Sequence, residues 1–240
     1  MKKALRKIDL NPRLRMIFSI IAIALLMLFY YLQGSILSQA VKLKITEDET
    51  SYNQQIFLEV MYFVTFAILV LLALIVYFKL TRKKPFQKFT LRKIGTSTGL
   101  FIGSIVVQTV LGQLDYVING NMQSANNSSI EEIAGLRIDF AVVLLSTAVL
   151  FSPIFEEVIY RGLIVDGVFK EHRLIGVFTQ ALLFGASHSV DNIIQFMTYF
   201  MTGLFLGLIY WKTENLEYSM IGHFLQNAIG ALEMIKDLIS

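Results

Sequence analysis

Glu156 and Glu157 are adjacent carboxylates that follow an apolar run broken only by Ser146, Thr147, Ser152 and Pro153. A charge inside such a run costs about 2.5–3.5 kcal/mol even on a lenient insertion scale, so charges kept there tend to serve function. Neighbouring residues on a helix point about 100° apart, so the two carboxylates cannot address one target together. Arg161 lies four residues beyond Glu157, the spacing of a helical ion pair. The pattern divides the labour: Arg161 holds Glu157 and leaves Glu156 for chemistry. The plainer alternative is a solvated helix end. His188 closes a second apolar stretch, after Phe184-Gly185-Ala186-Ser187, and taken alone it reads as a packed, hydrogen-bonded histidine. His223 and Asn227 are four apart and share one helix face, with Gln226 off it; such pairs also serve as polar contacts between membrane helices. His172, among Lys170, Glu171 and Arg173, reads as a solvated turn residue.

The elements that must position these groups are membrane helices. Of 240 residues, 55% are hydrophobic and 16% charged, too few charges to cover a soluble domain of this length. A crossing needs about 20 mostly apolar residues. The stretches 14–37, 56–78, 94–114, 138–157, 174–188, 193–211 and 218–235 qualify, the fifth being short. The expected fold is an all-α polytopic transmembrane bundle of about seven spans, six to eight. The first stretch is preceded by Lys2, Lys3, Arg6 and Lys7 and followed by Ser38-Gln39-Ala40, which loosely resembles a cleavage site. Its apolar core exceeds the roughly 7–15 residues of a signal peptide, so a retained helix is expected.

Basic residues set the orientation. They crowd the N-terminal arm, the loop 79–93 and the segment 161–173, whereas 46–52 is acidic and 115–132 has no basic residue. The N-terminus and the two basic segments are therefore expected in the cytosol of a multi-pass cell-membrane protein. Gly95, Gly99 and Gly103, and again Gly203 and Gly207, repeat every four residues and predict flat faces for close helix packing. The segment 119–129 is expected to be a polar loop. There are no cysteines, which excludes disulfides and thiolate ligands, and no phosphate-binding glycine loop or other sign of nucleic acid.

A depth argument joins the distant residues. If the fourth helix runs past Arg161 to Phe169, a turn centred near His172 leaves Glu156 and His188 about equally far from it, hence level in an antiparallel pair. His223 lies nearer its own turn at 212–215, and matches that depth only if the hairpin tip protrudes into the cytosol.

Glu156-Glu157-Val158-Ile159-Tyr160-Arg161 fits Glu-Glu-x-x-x-Arg, Phe184 to His188 fits Phe-x-x-x-His, and His223 to Asn227 fits His-x-x-x-Asn. In this order on successive helices they resemble the CPBP family of intramembrane proteases, which includes CAAX prenyl proteases and bacteriocin-processing and bacteriocin-immunity proteins. The resemblance covers 138–235 and divides the chain into N-terminal helices, 1–137, and a catalytic core, 138–240. It implies an intramembrane endopeptidase acting on a membrane-associated peptide or protein, with Glu156 and His188 activating water. It likewise implies His223 and Asn227 as oxyanion donors, with Glu157 and Arg161 completing the site. A metalloprotease stays open beside it: Glu156, His188 and His223 are acceptable zinc ligands with one position left for water.

Other protease chemistries fit poorly. No His-Glu-x-x-His motif is present, Ser187 lacks a Gly-x-Ser-x-Gly elbow, and Asp139, Asp166 and Asp191 form no Gly-x-Gly-Asp pattern. Two rivals come from other classes. One is an immunity or scaffold protein that acts by binding; the other is a small transporter with buried Glu and His, against which stands the lack of paired broken helices. Oligomeric state is not encoded in any pattern found.

Overall fold

The computed structural model describes residues 11–45, 49–83, 87–121 and 123–239. The expected basic arm at Lys2, Lys3, Arg6 and Lys7, and Lys84 of the basic loop, lie outside the described residues. Among the described residues there are eight helices and no strand. They are α1 (Pro12–Ile45), α2 (Glu49–Thr81), α3 (Leu91–Asn119), α4 (Ala125–Leu136), α5 (Ile138–Val168), α6 (Arg173–Ala186), α7 (Ile193–Thr213) and α8 (Leu216–Ile239). Each of the seven expected spans is a helix, so the polytopic bundle holds. Five of them, α1, α2, α3, α5 and α7, are long and apolar enough to cross a membrane. At 14 residues, α6 falls short of the roughly 20 a crossing needs.

The helices carry their polar groups inward. Leu25, Leu28, Ile68, Leu71, Val106 and Val110 are each about half exposed or more, while Ser19, Gln33, Glu59, Ser104 and Asp115 are buried. A lipid-facing surface has this inverted pattern, because acyl chains solvate leucine as well as a protein core does. Packing between helices then comes from shape. Tyr30 of α1 stacks on Phe155 of α5 at 5.2 Å, and Phe63 and Phe66 of α2 meet Phe151 edge-on or tilted. These contacts seat α5, the helix of the two glutamates, against α1 and α2.

Two of the glycine expectations part ways. A Cβ on Gly207 would lie 2.3 Å from Gln180 Nε2, and one on Gly203 3.1 Å from Ala181 Cα, so this pair brings α6 and α7 together. Gly103 meets Phe205, but Gly95 and Gly99 face open space. The expected flat face on α3 is real only at its third glycine, because the others stand where no helix packs. The expected loop 119–129 is also partly helical. Gly120 closes α3 at a positive φ of 74°, and Ser124 caps α4 by accepting from the Asn127 N–H. The Asn/Ser-rich composition that reads as a loop contains the cap that starts a helix.

The basic segments converge on one end. Arg15 pairs with Glu171 at 3.0 Å, Lys83 with Asp166 at 2.7 Å, and Arg173 with Glu214 at 2.6 Å. Lys42, Arg137 and Lys236 stand near the opposite end, so the charge bias is strong without being absolute.

Candidate functional site

Pro153 shapes the ground on which the site stands. It has no N–H for the Val149 carbonyl, and its ring would collide with that oxygen in a regular helix. The chain responds with wide π turns over Thr147–Phe151, where the Ser152 N–H reaches back to Thr147. The Ala148 carbonyl thereby loses both donors that could satisfy it within the helix: Ser152 is diverted and Pro153 has none. Asn227 of α8 supplies the missing bond, Nδ2 to Ala148 O at 2.8 Å. A second π stretch covers Val158–Val168. Such turns advance less per residue than an α-helix, and they are frequent at functional sites.

That second stretch answers the depth question. Arg173 at the hairpin tip pairs with Glu214 in the α7–α8 turn, so the tip lies beside that turn and the expected protrusion is not needed. The wide turns bring Glu157 level with His223 instead. His223 Nδ1 lies 2.9 Å from Glu157 Oε1, and Arg161 Nη1 lies 2.9 Å from the same oxygen. Glu157 and Arg161 are fully buried and His223 is 3% exposed. Arg161 also donates through Nη2 to Gly203 O at 3.1 Å, and its guanidinium lies 4.9 Å from the Phe184 ring centre. The expected Glu157–Arg161 pair is present; its link to His223 was not foreseen, since residues 66 apart in sequence announce nothing.

Glu156 points elsewhere. Its side chain is 19% exposed, its Oε2 is buried without a hydrogen bond, and the nearest imidazole atom is His223 Nε2 at 3.8 Å. It faces a cavity of about 780 Å³ that His188, His223 and Asn227 also line. His188 is held by the end of α6. Its Nδ1 lies 2.7 Å from the Phe184 carbonyl in the last turn of α6, which also accepts from Ser187 Oγ at 2.9 Å. A carbonyl can only accept, so Nδ1 carries the proton and Nε2 is left for other partners. Tyr199 stacks on the His188 ring at 4.1 Å and 13°, and Tyr160 donates to the adjacent Ser187 at 2.8 Å. Neither tyrosine was singled out from sequence, where an aromatic in an apolar helix carries no signal. His188 and Glu156 share the cavity without touching. His172 is exposed beside the tip, as expected.

Among the described residues no three His, Asp or Glu side chains form a group that could hold a metal ion. Glu156, His188 and His223 as arranged do not meet that requirement: His223 Nε2 lies 3.8 Å from Glu156 Oε2, and His188 stands apart from both.

Residues 138–229 match the family described as type II CAAX prenyl endopeptidase Rce1-like. A curated relative, UPF0177 protein YvdC of Lactococcus lactis subsp. lactis (strain IL1403), is 26% identical over 125 residues, 52% of this chain and 47% of that protein. The chain thus spans about half the length of the curated relative it matches. No solved structure matches it. The match takes in all three motifs, and the likeness to the CAAX protease group that they carry extends through residues 138–229 as a match to the Rce1-like family.

Proposed function

We propose that the chain is an intramembrane endopeptidase that hydrolyses a peptide bond in a membrane-associated peptide or protein. One observation carries the reading: a buried carboxylate oxygen, Glu156 Oε2, stands unpartnered at a cavity wall beside an imidazole that a second carboxylate orients. A buried polar atom without a partner is costly, and a substrate water would satisfy it. The water donates one proton to Glu156 or to His188 Nε2, and its oxygen attacks the scissile carbonyl. The His223 Nε2 edge, when that ring carries both protons, and the second Asn227 N–H donate to the oxyanion; each such donor is worth about 2.7–4 kcal/mol in the transition state. The proton then passes to the departing amine as the C–N bond breaks. Glu157 and Arg161 touch no substrate and act by holding His223. No step is routed through a metal. By its basic loops the protein sits in the cell membrane with its N-terminus in the cytosol.

The test is hydrolysis in ¹⁸O-water by the purified full-length chain on a library of apolar peptides, read by mass spectrometry. One ¹⁸O in the new carboxylate, absent with Glu156→Gln, is expected. Binding of peptides by a folded chain that cuts none would sink hydrolysis and leave an immunity or scaffold role.

A further inference from the structure

The cavity carries charge of one sign. From Glu156 and His223 it runs along α3, α4 and α8 toward the end of the bundle opposite Lys83 and Arg173, where Asn121, Ser124, Asn126 and Asn127 line it. Glu156, Asp115, Glu131 and Glu233 stand along that path, and among the described residues no Lys or Arg lines it. Asp115 is only 5% exposed, yet its partners are neutral amides: Asn119, Asn121, Asn192 and Gln195, at 2.7, 3.3, 2.8 and 3.1 Å. They orient the carboxylate without cancelling its charge. Arg137, the cation near this end that the structure shows engaged, is taken by Glu59 and Asp139. At the deep end Glu156 Oε2 is buried without a hydrogen bond, and His223 Nε2 lies 3.8 Å from it.

We propose that this cavity receives a cationic peptide segment from the membrane face opposite the basic loops, which the charge bias makes the outer face. A cleft walled by one sign of charge in a low-dielectric surround focuses its field and concentrates ligands of the other sign. The proposal deepens the hydrolytic reading by naming the charge and the side of the substrate, and rests on that reading only for the cut that follows binding. The amide-rich mouth can pass a peptide backbone by exchanging hydrogen bonds, and the carboxylates reject an acidic one.

Two fluorescent peptides with the same apolar residues, one with four lysines and the other with four glutamates, test the charge. Anisotropy against full-length His188→Ala protein in nonionic detergent should show the lysine peptide about tenfold tighter, a preference that weakens with salt. Glu131→Gln with Glu233→Gln should cut the preference to roughly a third, following the lost field. Equal or tighter binding of the glutamate peptide overturns the proposal. The cysteine-free chain makes the side testable: Ser129→Cys should react with an impermeant maleimide on intact cells, and Lys88→Cys only after permeabilisation. The reverse pattern overturns the proposal. Wild-type protein that binds the lysine peptide without cutting it refutes hydrolysis and leaves the cavity's assignment standing; preferential cutting of the glutamate peptide does the opposite.

Discussion

Helix α5 carries two ionic clusters, one at Glu157 and one at Asp166, and they are built to different ends. Asp166 at the basic end is 97% buried, and both of its carboxylate oxygens are held. Lys83 and Arg173 reach it at 2.7 Å each, and Tyr210 donates to it. Burial lowers the Lys83 pKa below its ordinary value even though Asp166 pulls the other way. The two cations are about a fifth exposed, so water shares their charge. The Glu157 cluster lies deeper, with Arg161 and Glu157 fully buried, and it sits next to Glu156, whose Oε2 is buried without a hydrogen bond. A cluster that closes on itself fixes helices; a cluster that stops one group short presents that group to something absent. In a bundle with charges at several depths, chemistry belongs where an ionic cluster borders an unmatched group.

The largest effect should come from neutralising Glu156. Glu156→Gln should lower turnover by about 10²–10⁴-fold. His188→Ala should do likewise, and the double variant should cost far less than the product of the two. Additive losses would mean that the residues serve separate steps. Next comes stability. Arg161→Ala strands a buried Glu157 and should cost about 3–5 kcal/mol in thermal or denaturant melts. Asp166→Asn leaves its cations able to turn to water, and should cost only about 1–3 kcal/mol. Equal costs would erase the distinction between the clusters. Gly207→Ala forces Gln180 away and should destabilise by about 1–3 kcal/mol through overpacking between α6 and α7. The smallest effect belongs to His172→Ala. That residue is exposed at the hairpin tip, so stability should change by less than about 0.5 kcal/mol and turnover should stay near normal. A dead His172→Ala beside a normal His188→Ala would place the chemistry at the wrong end of the bundle.

The fold was legible because membrane helices announce themselves by length and apolarity, and each expected stretch is a helix. Within the site, what could be read was local: Glu157 with Arg161 at four residues, and His223 with Asn227 on one face. What could not be read depends on contacts across the bundle. His223 meets Glu157 because π turns shorten α5, and the consequence of Pro153 for register is invisible until the Ala148 carbonyl is seen to need Asn227. The same contact gives Asn227 a structural task beside its proposed chemical one. Gly95 and Gly99 show the converse error, a packing pattern with no partner to pack against. Asp115 and its amides carry no signal in the sequence, because Asn and Gln beside loops read as solvated.

The proposed chemistry gives two adjacent glutamates opposite work. Glu156→Gln and Glu157→Gln should be purified side by side, with turnover of one peptide substrate and the melting temperature measured for both. Glu156→Gln should melt with the wild type and turn over about 10²–10⁴-fold more slowly. Glu157→Gln should melt several degrees lower, because Arg161 loses its countercharge at the centre of the bundle, about 3–5 kcal/mol by the cost of a stranded buried charge. A stable, inactive Glu157→Gln beside an active Glu156→Gln would contradict the account at its root.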